Sequence, residues 1–156
     1  MKLEDFFPAL QGKPYWITSC ATLAPPWYNC VAWAIGDDTQ WWEATGNPGT
    51  YWPPGVPDDG SLDAYLALFR SRGYEVCGNS VLEAGCEKVA IYVLWGEFTH
   101  VAYQRDDGVW LSKLGRLFDI EHDDLDVLAS YDKPTSYGAA CFFMRRPRRS
   151  SRACPQ

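Results

Sequence analysis

The sequence predicts a single α+β domain in which short helices precede a mostly antiparallel sheet. Its 156 residues suit one hydrophobic core, and 47% apolar against 22% charged residues is typical of a globular protein. Apolar residues recur at helical spacing in the first half, whereas the second half carries extended apolar runs and an Asp-Gly turn. Helices followed by strands indicate the α+β class, and we expect this domain to span residues 1–144.

Two short helices are predicted in the first half of the chain. Asn29 is a suitable N-cap, apolar residues then recur at helical spacing, and Gly36 ends the helix. Ser61 can cap a second helix with one apolar stripe, which Gly73 closes. Between the two helices, residues 37–60 are rich in glycine and proline, which predicts an irregular loop.

The second half of the chain is predicted to form strands. Residues 88–95 are apolar on both alternating sets, which indicates a central strand buried on both faces. Residues 100–104 and 109–113 flank an Asp-Asp-Gly turn and predict a hairpin. Residues 139–144 predict the closing strand.

The charge of the chain is unevenly distributed. The net charge is −6, but five basic residues lie at the C-terminal end: Arg145, Arg146, Arg148, Arg149 and Arg152. Without them the chain has 9 basic and 20 acidic residues, so the body carries a charge of −11. An acidic body disfavours binding of the phosphate groups of nucleic acid, and we therefore expect no nucleic-acid partner. We expect residues 145–156 to form a disordered basic tail, which leaves the acidic body or this tail to contact a protein partner.

The sequence predicts a cytoplasmic protein without a metal or cofactor. Residues 1–11 lack the basic start and continuous apolar run of a signal peptide, and no segment reaches the roughly 20 apolar residues of a membrane span, so no membrane association is expected. The six cysteines are irregularly spaced and include no Cys-x-x-Cys pair. In a reducing compartment we expect them to be thiols.

A cysteine at the start of a helix is the first candidate for catalysis. With Asn29 as the cap, Cys30 is the first helical residue, and the free amides and positive dipole end lie beside its sulfur. That setting lowers the pKa of a thiol and provides donors for an oxyanion. The alternative role for Cys30 is a small apolar residue packed beneath the helix.

The chain contains two histidines, His100 and His122, so any Cys–His mechanism must use one of them. His100 begins a predicted strand beside the central strand, where its imidazole can face a helix N-terminus packed on the sheet. His122 lies in an acidic Glu-His-Asp-Asp stretch and is expected at the surface. We therefore predict Cys30 as the nucleophile and His100 as the base.

A third polar group is needed to orient the imidazole. Ser112 lies near His100 on the return strand of the predicted hairpin, and Asp119 lies just beyond it. Hairpin geometry favours Ser112, whereas the chemistry of imidazolium stabilisation favours a carboxylate. Asp119 is our narrow preference, with Ser112 as the alternative.

An aromatic segment at residues 41–52 follows the predicted nucleophile helix. Its tryptophans either line a substrate cleft or cover the core. Because Trp41 and Trp42 are adjacent, an extended backbone points their rings to opposite sides, so that one anchors the loop and the other faces the cleft. The candidate substrate-binding residues are Asn29, Trp41, Trp42, Trp52 and Trp110.

Two short motifs resemble a known superfamily. The Asn-Cys-Val-Ala-Trp-Ala segment at residues 29–34 resembles the nucleophile segment of papain-like thiol hydrolases, in particular NlpC/P60 and CHAP-type amidases. His-Val-Ala-Tyr at residues 100–103, the Asp-Gly turn and Ser112 are similar to their histidine hairpin. The chain is also similar to uncharacterised bacterial proteins with Asn-Cys-x-Ala-Trp-Ala and Ser-Lys-Leu-Gly segments.

The resemblance covers residues 25–121 and implies a papain-like fold, with the nucleophile helix packed on the sheet. It implies a cysteine peptidase, amidase or deamidase that acts on a peptide or protein amide through an acyl-enzyme. Val31 replaces the usual small residue after the cysteine, and Ser112 replaces the usual His, Asn, Gln or Glu. These departures favour an intracellular peptide, isopeptide or protein amide over peptidoglycan as the substrate, or else an inactive relative.

Two other interpretations stay open at the level of sequence. One is a non-catalytic binding or immunity module on the same fold, which uses the aromatic segment as its contact surface. The other is a small zinc protein whose ligands come from scattered positions: Cys77, Cys86, Cys141 and His100.

Overall fold

The computed structural model describes residues 2–18, 28–44, 47–114, 119–133 and 135–148. Three helices occur in these ranges: α1 (Leu3–Phe6), α2 (Cys30–Ile35) and α3 (Leu62–Ser71). Two 3₁₀ turns occupy Pro8–Leu10 and Leu125–Leu128. The strands are β1 (Tyr15–Ile17), β2 (Trp41–Trp42), β3 (Thr50–Tyr51), β4 (Glu75–Cys77), β5 (Cys86–Leu94), β6 (Glu97–Gln104), β7 (Trp110–Lys113), β8 (Asp119–His122) and β9 (Ala139–Pro147).

Seven of the strands form one sheet in the order β1-β8-β7-β6-β5-β9-β4. Every neighbouring pair in this sheet is antiparallel, while β2 and β3 form a separate parallel pair. The predicted central strand is confirmed, because β5 lies between β6 and β9. The predicted hairpin is confirmed as well, because β6 and β7 pair around the Asp-Asp-Gly turn. The α+β class with a mostly antiparallel sheet is therefore confirmed.

Both faces of the sheet are covered, which explains the apolar character of β5 on both sides. Val89 and Ile91 belong to a core shared with α2 and α3, whereas Ala90 and Tyr92 belong to a second core with α1 and the 3₁₀ turns. All four residues are fully buried. None of the helices in the described ranges has the length and apolar character that a bilayer crossing requires.

Helix α2 begins and ends as its sequence predicts. The side chain of Asn29 accepts a hydrogen bond from the Ala32 amide at 3.1 Å, and Gly36 ends the helix in the left-handed region at φ 110°. The Asn29 amide also donates to the Trp42 carbonyl at 2.6 Å, and its oxygen accepts from the Trp42 amide at 3.2 Å. The same cap therefore fixes β2 against the first turn of the helix.

The start of the predicted C-terminal tail needs correction, because β9 continues to Pro147. Arg145 and Arg146 lie in this strand opposite β5, where Lys88 and Glu87 are their register partners. Alternation along the strand makes Arg146 a buried residue, so a cluster of arginines does not by itself mark a disordered segment. The remaining tail, residues 149–156, lies outside the described residues.

Arg146 is bound on several sides within the core. Its guanidinium pairs with buried Glu87 at 2.5 Å and donates to the carbonyls of Arg72 and Ile35 at 2.8 and 3.1 Å. It also lies over the ring of Tyr74, 4.2 Å from the centroid. The guanidinium charge is thus neutralised by Glu87, and its remaining N–H groups donate hydrogen bonds to carbonyls at the ends of two helices.

We expect Arg146→Leu to lower the free energy of unfolding by about 3–5 kcal/mol, because Glu87 would keep its buried charge without the guanidinium. Arg145→Leu is the matched control, since Arg145 pairs with Glu75 and Glu83 at the surface, where such pairs contribute less than about 1 kcal/mol. Urea denaturation of both variants measures the difference. Equal losses would contradict a special role for Arg146.

Candidate active site

Cys30 and His100 lie in one cavity of about 280 Å³. Cys30 is the first residue of α2, and the backbone amides of Cys30, Val31 and Val101 lie near enough to its sulfur to lower the pKa of the thiol. Val101 directly follows His100 on β6, which places the sulfur beside the start of that strand. The structure therefore brings the predicted nucleophile and the predicted base to the same site.

The Cys30 thiol is neutral in this setting. Burial raises its pKa to about 11, although the three amides and Lys113 act in the opposite direction. The amides at the helix N-terminus act in the predicted direction, but the net pKa of the thiol is raised and not lowered in the free protein. Desolvation of the thiolate outweighs the attraction of the helix amides.

His100 is also neutral, and its ring is held firmly. The side chain is buried, and burial lowers the pKa of the imidazole to about 3. The ring of Tyr137 stacks on it with a centroid distance of 4.4 Å and an interplanar angle of 5°. A neutral imidazole has a nitrogen lone pair, which is the protonation state that a general base requires.

Ser112, and not Asp119, contacts the imidazole. The Ser112 hydroxyl lies 3.0 Å from His100 Nε2, on the neighbouring strand β7. Asp119 lies opposite Lys113 in the β7–β8 register and forms an ion pair with it, with 3.2 Å between Nζ and Oδ1. The preference for Asp119 as the orienting residue is thus corrected, because the strand register places its carboxylate beside Lys113 and not beside His100.

His122 is a site residue that sequence reasoning placed at the surface. It is fully buried, and its Nε2 lies 2.8 Å from the Ser112 hydroxyl. Its Nδ1 lies 3.0 Å from the Asp124 carbonyl. The acidic neighbours of His122 obscured this position, but alternation in β8 puts it on the same face as buried Ile120, and that signal could have indicated it.

The adjacent tryptophans of the aromatic segment separate as predicted. Trp41 lines the cavity, whereas Trp42 is buried in the core and donates from Nε1 to Asp37 at 2.7 Å. Asn29 also lines the cavity, although its amide is used by the helix cap and by β2. Of the two adjacent rings, Trp41 is therefore the one that is positioned to contact a substrate in this cavity.

Trp52 and Trp110 do not line the Cys30 cavity, so their assignment as substrate-binding residues is corrected. Trp52 packs edge-on against Tyr65, and its Nε1 donates to the Pro57 carbonyl at 3.0 Å. Trp110 is buried in the second core, which also contains α1. Both rings are used for packing because they lie on faces that neighbouring elements cover.

The cavity walls include aromatic residues that the sequence did not single out. Phe98 and Tyr65 stack with a centroid distance of 3.9 Å, and Tyr137 forms a further wall. Glu43 carries the one carboxylate among the described lining residues. These residues come from a helix, a hairpin and two loops, so no local sequence pattern unites them.

The proposed zinc ligands do not form a cluster. Within the described ranges, no three His, Cys, Asp or Glu side chains converge in a way that could hold a metal ion. Cys86 contacts Glu83, and Cys141 is exposed on β9.

We expect acid to destabilise the fold through His100. Its pKa is about 3 when folded and about 6.5 when unfolded, so its contribution is complete above pH 6.5 and is lost as the pH falls toward 3. Between pH 7.5 and 5 the free energy of unfolding should fall by about 2 kcal/mol from this group. His122, whose pKa burial also lowers, adds to the decrease.

Urea denaturation at both pH values, for the wild type and for His100→Gln, isolates the His100 contribution. The acid-induced loss should be smaller in the variant by about 2 kcal/mol. The other titratable groups are common to both proteins and cancel in the comparison. An equal loss in the two proteins would show that His100 is not kept neutral by the fold.

Comparison with known proteins gives one family match. The model of a family described as a domain of unknown function, DUF7689, matches residues 17–145. Neither the curated proteins nor the solved structures include a match to the chain. The matched region contains Cys30, His100, Ser112 and His122 as well as most of the sheet. The chain therefore belongs to the DUF7689 family.

Proposed function

We propose that this protein is a papain-like cysteine hydrolase that cleaves a peptide or protein amide through an acyl-enzyme on Cys30. The observation that carries the proposal is the shared cavity of Cys30 and His100, with the Val101 amide at the sulfur. A nucleophile at a helix N-terminus beside a histidine on the adjoining strand is the arrangement that thiol acyl chemistry requires.

The fold supports the papain-like part of the proposal. Helix α2 packs on the antiparallel sheet through a core that contains Val101 and Tyr103 of β6. Its N-terminal residue is the nucleophile, and the base comes from the strand on which it packs. The chain order, with the cysteine before the histidine and a polar residue on the next strand, agrees with the resemblance found in the sequence.

In the proposed reaction, neither reacting group is charged before the substrate binds. His100 takes the thiol proton while the sulfur of Cys30 bonds to the carbonyl carbon, and the carbonyl electron pair moves to oxygen. The amides of Cys30 and Val31, which face the sulfur in the free protein, are the donors for this oxyanion. Because both groups start neutral, proton transfer accompanies the attack.

Breakdown of the intermediate releases the amine. The carbon–nitrogen bond breaks as the oxyanion re-forms the carbonyl, and the His100 imidazolium gives its proton to the departing nitrogen. Water then attacks the thioester with His100 as base, which releases a carboxylic acid and restores the thiol. If the amide belongs to a glutamine side chain, the amine is ammonia and the reaction is a deamidation.

The walls of the cavity indicate which substrates fit. Trp41, Tyr65 and Phe98 offer flat apolar surface for a substrate side chain, and Glu43 adds a negative charge. Lys113 near the site is paired with Asp119, so it does not offset that charge freely. We therefore propose a neutral or basic peptide segment as the substrate and not an acidic one.

A binding or immunity module that uses residues 41–52 is the competing function. It requires several aromatic rings at an accessible surface, but Trp42 is buried and Trp52 packs against Tyr65. Under that function, Cys30→Ala would leave partner binding and the cellular phenotype unchanged. A loss of phenotype in Cys30→Ala with an intact fold would exclude it.

Covalent labelling by a peptidyl vinyl sulfone tests the proposed Cys–His pair. The sulfur adds to the vinyl group and the resulting carbanion needs a proton, so the probe reports both residues. We expect Cys30 to be the main labelled residue, and His100→Gln to slow labelling at least about 100-fold. Cys141→Ala is the control for an exposed thiol and should label at the wild-type rate.

Peptide mass spectrometry of the labelled protein identifies the modified cysteine. Labelling of Cys30 that does not depend on His100 would contradict the mechanism. Preferential labelling of Cys141 would contradict a reactive Cys30 altogether.

Alkylation by iodoacetamide tests the neutral resting state. Because the pKa of Cys30 is raised to about 11, we expect its alkylation rate to increase about tenfold for each pH unit between pH 7 and 9.5. A model peptide with one internal cysteine is the control in the same mixture and should approach a plateau earlier, near its ordinary pKa of about 8.5. A plateau for Cys30 below pH 7 would instead show a thiolate in the free enzyme.

A further inference from the structure

A buried chain of hydrogen bonds leads from His100 away from the cavity. His100 Nε2 lies 3.0 Å from the Ser112 hydroxyl, and that hydroxyl lies 2.8 Å from His122 Nε2. His122 Nδ1 lies 3.0 Å from the Asp124 carbonyl oxygen. The three side chains are at most 1% exposed.

The carbonyl at the end of the chain determines the direction of every bond. A carbonyl oxygen only accepts, so His122 must carry a proton on Nδ1. Burial keeps His122 neutral by lowering its pKa, which leaves Nε2 as an acceptor for the Ser112 hydroxyl. Since that hydroxyl has one proton and donates it to His122, its oxygen must accept from His100 Nε2.

We infer that His122 is a positioning residue, which acts through Ser112 to hold the His100 proton on Nε2 and to leave Nδ1 as the base for Cys30. The inference rests on the proposed function for the role of Nδ1. It assigns a positioning role to a residue outside the cavity and explains how a serine serves as the orienting group. A serine alone can either donate to a histidine or accept from it, and His122 removes this ambiguity.

The opposite direction of the chain is unfavourable at its buried end. With its proton on Nε2, His122 would direct the lone pair of Nδ1 at the carbonyl oxygen of Asp124 over 3.0 Å. Two acceptors would then face each other without a proton in a site away from water, and neither would have a hydrogen bond to replace the water that burial removes. The arrangement that satisfies every group is the one that leaves Nδ1 of His100 unprotonated.

Both ends of this hydrogen-bond chain, His100 and the Asp124 carbonyl, are fixed by other contacts. Asp124 caps the 3₁₀ turn Leu125–Leu128, and its side chain accepts from the Asp126 amide at 2.9 Å. At the other end, Tyr137 stacks on His100, and its carbonyl accepts a hydrogen bond from Thr99 at 2.5 Å. The chain therefore links two groups that have little freedom to move.

Nitrogen-15 NMR of the histidine rings tests the inference directly. The wild-type protein with labelled histidine has only two ring systems, and His122→Gln assigns the signals because it leaves His100 alone. At pH 7 we expect a neutral His100 protonated on Nε2 and a neutral His122 protonated on Nδ1. If His100 of the wild-type protein is protonated on Nδ1 or is cationic, the inference is overturned without data from any variant.

Two variants separate positioning from packing. In His122→Gln the side-chain carbonyl can accept from Ser112, so His100 should keep its proton on Nε2 and vinyl sulfone labelling of Cys30 should stay within about threefold of wild type. In His122→Phe the acceptor is lost and Ser112 becomes free to donate to His100. We then expect at least about nine-tenths of His100 to be protonated on Nδ1, which slows labelling at least about tenfold.

Circular dichroism and thermal unfolding check that both variants fold. If His122→Phe fails to fold, two measurements replace it. The spectrum of the wild-type protein gives the tautomers of both histidines, and Ser112→Ala removes the group that accepts from His100. A folded His122→Phe that retains the Nε2 proton completely would overturn the inference.

The inference and the proposed function fail in different ways. If His100 and His122 show the expected tautomers but Cys30 does not react with the vinyl sulfone, the hydrolase proposal fails and the hydrogen-bond chain stands. If Cys30 reacts in a His100-dependent manner while the His100 proton lies on Nδ1, the hydrolase proposal stands and the role of His122 is refuted.

Discussion

A buried charge holds the far end of the helix that begins at Cys30. The guanidinium of Arg146 joins the carboxylate of Glu87 on β5 to the last carbonyl groups of α2 and α3, through Ile35 and Arg72. Two strands and two helices are thereby held by one side chain. Helix α2 has six residues, so this contact at its last residue lies at the opposite end of the same helix from Cys30.

The candidate site is built almost entirely from groups that are neutral at rest. Aromatic rings, a thiol, an imidazole, a hydroxyl and backbone amides line or adjoin the cavity, and Lys113, whose charge acts on the Cys30 thiol, is paired with Asp119. A charge that formed in these surroundings would be stabilised mainly by fixed dipoles. Under the proposed function, the amides at the start of α2 supply such dipoles before a substrate binds.

Features that depend on neighbouring residues in the chain could be predicted from the sequence, whereas features that depend on strand register could not. The Asn29 cap, the Gly36 terminator and the hairpin follow from local preferences and appear as expected. The orienting residue depended on how β7 and β8 pair, and a shift of one residue would have exchanged the faces of Ser112 and its neighbours. In two places the charged neighbours of a residue led to a wrong prediction of exposure. His122 lies among acidic residues and Arg146 among basic ones, but the alternation of side chains along each strand buries both.

The hydrogen-bond chain behind His100 ends on the main-chain carbonyl of Asp124. Every amino acid supplies that carbonyl, so its contribution leaves no trace in the identity of residue 124. A substitution at position 124 that keeps the cap of the turn and the course of the backbone would leave the acceptor for His122 in place. The hydrogen bond therefore depends on the position of the main chain, which the amino acid at this position does not record.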